Sequence, residues 1–264
     1  MKVFFIGAGP GAADLITLRG SRLLGQADIV LYAGSLVPRE MLQHCRADAC
    51  LLDSAEMSLD EQEACYRRAR DENLDVARLH SGDPSIYGAT AEQMRRLEKL
   101  GIAYEIVPGV SSFTAAAAAL GSELTRPAVS QSIVLTRVSG RASAVPELES
   151  IARFAEHRAT MCIFLSGQHL KQTVADLLLH YPPSTPVALV RRASWADQSL
   201  HRSTLGALLA GIRIKDWLLT TLLLVGEALS GADGVESSLY AAGFTHIFRD
   251  GDDRPRPRRS RAKT

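Results

Sequence analysis

The 264-residue chain is 46% hydrophobic and 22% charged, a mix that excludes disordered and fibrous classes and allows one or two compact domains. Its formal net charge is +1, but Arg254, Arg256, Arg258, Arg259, Arg261 and Lys263 crowd the last stretch, and without those six cations the rest carries −5. A mildly acidic body argues against a nucleic-acid surface. Val3 to Ala8 is too short for a signal peptide's apolar region, and Trp217 to Val225 falls far below spanning length. The expectation is a soluble cytoplasmic protein with neither nucleic-acid nor membrane partners.

In chain order, short β-branched or aliphatic runs alternate with stretches of helical period, the pattern of an α/β fold with largely parallel strands. The first half holds five such runs: Val3 to Ile6, Ile29 to Tyr32, a weak one near Leu51, Val76 to His80, and Ala103 to Val107. Ser58-Leu59-Asp60-Glu61 reads as a capping box opening a helix that reaches about Arg70. Ser112 to Leu120, nearly all alanine, predicts a slender helix suited to close packing on a sheet, stopped by Gly121. A second series follows, with strands at Ser132 to Val138, Met161 to Ser166, Val187 to Val190 and Leu219 to Val225, and a short one around His201. The change of series near residues 109 to 127 divides a first domain, 1–118, from a second, 119–230. The tail, 231–264, is expected to be disordered at its Arg/Pro-rich end.

Cys45, Cys50, Cys65 and Cys162 have no paired spacing and few nearby histidines, so neither a metal site nor a disulfide framework is indicated, and reduced, mostly buried thiols are expected. The seven histidines are dispersed, no G-x-S-x-G occurs and no carboxylates pair at motif spacing. No residue is assigned as a catalytic acid or base.

Three loops carry the chemistry. Gly7-Ala8-Gly9-Pro10-Gly11-Ala12 follows the first strand and superficially fits a dinucleotide fingerprint, so an NAD-dependent oxidoreductase or a nucleotide-binding regulator is one reading. Against it, the next helical pattern starts only near Thr17, Pro10 removes a donor, and the second strand ends at Tyr32-Ala33-Gly34 without an acidic residue for a ribose. Ser81-Gly82-Asp83-Pro84 sits at the carboxyl end of an apolar strand, where open α/β sheets bind ligands; an ordinary Asp-Pro turn fits as well. Val107-Pro108-Gly109-Val110-Ser111-Ser112 is a similar loop, whose hydroxyls could bind a ligand or cap the alanine helix.

Taken together and in order, Val3-Phe4-Phe5-Ile6-Gly7-Ala8-Gly9-Pro10-Gly11, Ser81-Gly82-Asp83-Pro84-Ser85-Ile86-Tyr87-Gly88, Val107 to Ser112 and Leu222-Leu223-Leu224-Val225-Gly226-Glu227 resemble the tetrapyrrole methylase family. The resemblance spans residues 1 to 230 or so, and Tyr32 to Val37, Asp53 to Leu59 and Leu135 to Arg141 narrow it to a member of the corrin branch. It implies two α/β domains, each with a largely parallel or mixed five-stranded sheet, an active-site cleft between them, and a homodimer. It further implies S-adenosyl-L-methionine as cofactor, leaving as S-adenosyl-L-homocysteine, and a tetrapyrrole as the methyl acceptor. Position by position, the implied cofactor contacts are Pro10, Ser81, Gly82, Asp83, Ile86, Ser111 and Ser112. Ser166 and Ala193 join them from the second domain, where other members often carry methionine and glycine. A polycarboxylate acceptor calls for arginine forks, and Arg126, Arg137 and Arg141, with Arg191 and Arg192, are the candidates. Within the same fold, uroporphyrinogen III, an RNA ribose or a modified histidine are the alternative acceptors.

Overall fold

The computed structural model describes residues 1–139, 144–164 and 169–231, with 237, 241, 243–245, 247 and 249. The Arg/Pro-rich run lies outside the described residues.

The first sheet is built from β1 (Val3–Gly7), β2 (Ile29–Tyr32), β3 (Cys50–Asp53), β4 (Val76–His80) and β5 (Tyr104–Val107), all parallel, in the order β3-β2-β4-β1-β5. Parallel neighbours need crossovers, supplied by α1 (Leu18–Leu24), α2 (Leu59–Asp71) and α3 (Thr90–Lys99), with a short 3-10 turn, Arg39–His44, between β2 and β3. Helices cover both faces, which is why β1 reads as a continuous apolar run. Val3 and Phe5 pack with Tyr66 and Leu97 on one face, and Ile6 packs with Leu24 and Val107 on the other. The capping box forms as expected: Ser58 Oγ accepts from Glu61 N at 3.3 Å, and Glu61 Oε2 accepts from Ser58 N at 2.7 Å.

The second sheet contains β6 (Ile133–Arg137), β7 (Thr160–Phe164), β8 (Pro186–Arg191), β9 (Ser199–Thr204) and β10 (Thr221–Val225), in the order β6-β7-β10-β8-β9. Only β6 and β7 run parallel; the other pairs are antiparallel, so the largely parallel pattern holds for the first sheet and the second is mixed. One antiparallel pair is a hairpin, since β8 returns directly as β9 through Arg192–Gln198 with no helix to carry the chain across, and β10 runs antiparallel to both of its neighbours, β7 and β8. α5 (Ile151–Ala155) and α6 (Leu170–Leu178) bury Ile151, Val174 and Leu177 against Met161, Leu189 and Leu223 on one face.

The alanine helix, α4 (Ser112–Ala119), covers the opposite face. Ala115 and Ala116 and the following Leu120 pack on Val190, Leu222 and Leu224, and Gly121 ends the helix at φ +55°. The expected division after residue 118 thus falls at the end of a helix that packs on the second sheet. Methyl-sized side chains let this helix lie close to the strands, and they bring its N-terminal serines to the junction of the two sheets. The cysteines differ from expectation. All four are free, but only Cys162, on the interior strand β7, is buried, while Cys50 is exposed on the edge strand β3.

Candidate active site

Because β1, β4 and β5 are parallel neighbours, the three glycine-bearing loops leave the same edge of the sheet side by side. Their closeness explains the glycines. A Cβ built on Gly109 would lie 2.2 Å from Gly82 O and 2.7 Å from Gly7 Cα, so the three loops touch backbone to backbone. Gly82 N donates to Gly9 O at 2.7 Å and Gly9 N to Gly82 O at 3.3 Å, with both residues at positive φ, +77° for Gly9 and +67° for Gly82.

The first loop is also tied to the second domain. Trp195 Nε1 donates to Pro10 O at 2.9 Å, Ala12 N donates to Ser194 Oγ at 2.9 Å, and a Cβ on Gly11 would meet the Trp195 ring at 2.2 Å. The Arg192 guanidinium stacks on that ring, 4.2 Å from its centroid. This removes the dinucleotide reading. Ala8, Gly9 and Ala12 spend their N–H groups on His80 O, Gly82 O and Ser194 Oγ, Pro10 has none to give, and α1 opens only at Leu18 behind its Thr17 cap.

Asp83 joins the second and third loops. Its Oδ1 accepts from Ser85 N at 2.8 Å and from the Ser85 hydroxyl, and its Oδ2 accepts from Gly109 N at 2.9 Å. Partial burial works to raise its pKa, but these three hydrogen bonds outweigh it and hold the carboxyl below its ordinary value, so it is ionised at neutral pH. Ser111 stands at the N-cap of α4, yet its hydroxyl makes no capping bond, and the side chain is buried.

Between the domains lies a cavity of about 440 Å³. Pro10, Ser81, Gly82, Asp83, Ile86, Ser111, Ser112 and Ala193 all line it, so eight of the nine expected cofactor positions come together there. The ninth, Ser166, lies outside the described residues. One wall is polar, with the Asp83 carboxylate and the hydroxyls of Ser81, Ser111 and Ser112; Val190, Leu222 and Phe164 make another apolar. Such a cavity suits a small amphipathic ligand with a flat apolar part and a charged end.

The arginines divide. Arg192 lines the cavity and pairs with Asp197 at 2.6 Å, whereas Arg191 faces a separate neighbouring hollow with Lys215. Arg137 closes β6 just before the cavity-lining Val138 and Ser139, its guanidinium 3.3 Å from Val138 O. Arg126 is not among the lining residues; it donates to Ser230 Oγ at 3.0 Å. Arg141 lies outside the described residues. Sequence reasoning missed His169 and Leu218–Leu219, which also line the cavity, because the turn before β10 and the start of α6 carry no motif. Leu36, Tyr87, Val138, Ser139 and Leu222, which lie in the family-like segments, line it as well.

The Tyr32–Val37 and Asp53–Leu59 segments prove to be one structure. Asp53 Oδ1 accepts from Gly34 N and Ala55 N, both at 2.9 Å, and these two bonds hold its carboxyl below the usual range. Together they present Leu36 to the cavity. Among the described residues no group of His, Cys, Asp or Glu could hold a metal, and no helix is long and apolar enough to cross a membrane.

Two α/β domains closing on a cavity lined by glycine-rich strand-end loops define the class: residues 2–209 match the model for Tetrapyrrole (Corrin/Porphyrin) Methylases, and the chain belongs to that family. Within it, the chain is similar to a precorrin-4 C(11)-methyltransferase from a Sinorhizobium species, 53% identical over 94% of this chain and 98% of the relative. The solved cobalt-precorrin-4 methyltransferase of cobalamin biosynthesis superimposes with a TM-score of 0.83 at 41% identity, covering 86% of this chain and 95% of the other. Uroporphyrin-III C-methyltransferase from Thermus thermophilus, solved with S-adenosyl homocysteine, gives a TM-score of 0.72 at 25% identity over 87% and 99% of the chains.

Proposed function

We propose that the chain transfers a methyl group from S-adenosyl-L-methionine to C(11) of precorrin-4, giving precorrin-5, in building the corrin ring of cobalamin. The observation that carries this reading is the meeting of Pro10, Ser81, Gly82, Asp83, Ile86, Ser111, Ser112 and Ala193 around one cavity, in a chain so similar to precorrin-4 C(11)-methyltransferases. The donor set fits the cofactor: an anionic carboxylate beside backbone and hydroxyl groups for its charged and sugar portions, and Val190 and Leu222 for a flat base.

When bound, the cofactor supplies an electrophilic methyl group on a positively charged sulfur. The chain's task is therefore alignment and exclusion of water rather than acid–base work. Asp83 fixes the relative position of the second and third loops, the Trp195 contacts fix the first loop against the second domain, and Ile86 and Val190 keep the cavity apolar where water would compete. Arg192 lines the cavity and Arg137 directly precedes its lining residues Val138 and Ser139, so among the described residues these two are the arginines put forward for acceptor carboxylates, and Arg141 remains a candidate from its place in the motif.

A second reading, cobalt-precorrin-4 as acceptor, is supported by the 41% identity to the cobalt enzyme; the 53% identity to the cobalt-free relative favours the first. Family likeness also supports a homodimer acting in the cytoplasm, which light scattering and fractionation test. The deciding assay incubates the protein with labelled methyl donor and either acceptor, and locates the new methyl by NMR. Label at C(11) is expected; label at C(17), or on no tetrapyrrole, refutes the assignment.

A further inference from the structure

At the cavity mouth stands an aromatic side chain that core packing does not account for. Tyr87 lines the cavity yet is 49% exposed, and its backbone sits at φ +54°, a region that residues with a Cβ enter only at a cost. The turn around it leaves no other choice. Thr90 Oγ1 donates to Pro84 O at 2.6 Å, and Ile86 N donates to Asp83 O at 3.2 Å. Gly88 is wedged so that a Cβ there would lie 2.6 Å from Pro84 O, and Ala89 follows at φ +49°. A turn held this firmly would carry glycine or asparagine at position 87 with less strain. A large ring kept there, half in solvent, points to use of its surface.

Across the mouth, the ring meets Phe164 of the second domain edge-on, with centroids 5.2 Å apart and planes at 62°. An edge-on partner braces a ring while leaving a face uncovered. Arg137 ends β6 directly before Val138 and Ser139, which line the same cavity, and its guanidinium donates to Val138 O at 3.3 Å; burial raises the Tyr87 phenol above its ordinary pKa against a smaller pull from the Arg137 charge. The rim therefore combines an aromatic ring with a cation beside it.

We propose that Tyr87, braced by Phe164, is the stacking platform of an acceptor subsite for the conjugated face of a carboxylate-bearing macrocycle, with Arg137 as the neighbouring carboxylate anchor. The proposal rests on the reading of a tetrapyrrole acceptor and adds the residue that holds its face. Aromatic faces accept any conjugated ring, so Tyr87 supplies affinity and tilt, while the choice among tetrapyrroles falls to the rest of the rim, including Leu36.

The test compares wild type, Tyr87→Phe and Tyr87→Ala in titrations with uroporphyrin III, a stable octacarboxylate porphyrin, and with S-adenosylhomocysteine by calorimetry. Tyr87→Ala should weaken porphyrin binding about tenfold while homocysteine-adduct affinity stays within about twofold, and Tyr87→Phe should keep both. Retained affinity for the adduct also reports that the variant is folded. Equal porphyrin affinity in wild type and Tyr87→Ala, or no porphyrin binding by wild type, overturns the subsite. A parallel loss of adduct affinity also overturns it, assigning the ring to the cofactor instead. If wild type binds porphyrin in a Tyr87-dependent way but methylates no tetrapyrrole, the subsite stands and the methyl-transfer reading falls.

Discussion

Gly109→Ala is the sharpest probe of the three-loop junction. The added methyl would sit 2.2 Å from Gly82 O and 2.7 Å from Gly7 Cα, both backbone atoms, so relief requires moving a loop by about 1 Å rather than swinging a side chain. Overpacking of this kind costs about 1–3 kcal/mol. The shift also strains the 2.9 Å bond from Gly109 N to the Asp83 carboxylate, and bonds to charged groups contribute about 1.5–3 kcal/mol. The two effects share atoms and do not simply add; about 2–4 kcal/mol together corresponds to a fall in Tm of roughly 5–15 °C for a chain of this size. Thermal melts and calorimetry with S-adenosylhomocysteine should show that fall together with about tenfold weaker binding. Gly101→Ala is the control: it has φ +65° but nothing within 4 Å, so it should cost about 1 kcal/mol in stability and leave binding alone. A Gly109→Ala protein with wild-type Tm and wild-type affinity would refute the account of why these loops carry glycine.

Asp83→Asn should also weaken S-adenosylhomocysteine binding about tenfold, since it removes the charge that organises Ser85 and Gly109. Because the folded pKa of Asp83 lies below its ordinary 3.8, its stabilising contribution is present above that value and lost as pH falls below it. The Tm gap between wild type and variant should therefore hold steady from neutral pH down to about 4 and close beneath it; a gap that stays open in acid contradicts the linkage. His80 is the opposite kind of group: burial, aided by Arg78, pushes its imidazole down from 6.5 to about 3, and its Nε2 has no partner among the described residues. The unfolded chain takes a proton below 6.5 that the folded chain refuses until about 3, so stability falls as pH drops through that window. His80→Phe should flatten this part of the pH–Tm curve and raise Tm at neutral pH by a few degrees; an unchanged acid slope argues that another group titrates there. Trp195→Phe keeps a ring over Gly11 but deletes the donor to Pro10 O, and should weaken S-adenosylhomocysteine binding by about fivefold; no change would show that the inter-domain tie does not shape the cavity.

The strands, the capping box at Ser58 and the stop at Gly121 were legible in the sequence because each depends on residues within a few positions of one another: a short β-branched or aliphatic run, a hydroxyl three residues before a carboxylate, a glycine free to take positive φ. The loop residues expected to hold the cofactor were legible through their resemblance to a family, while their local chemistry stayed balanced between turn and site. Tertiary structure showed that the Ser111 hydroxyl leaves its helix uncapped and that the missing side chains of Gly7, Gly82 and Gly109 make room for one another. It also separated Arg192, on the cavity, from Arg126, directed to Ser230, although both were candidates for the same acceptor carboxylates. Nothing local links Gly11 to Trp195 or Tyr87 to Phe164. An apolar run announces a strand without naming its neighbour, and only the order of the two sheets and the packing of α4 on the second bring those pairs into contact.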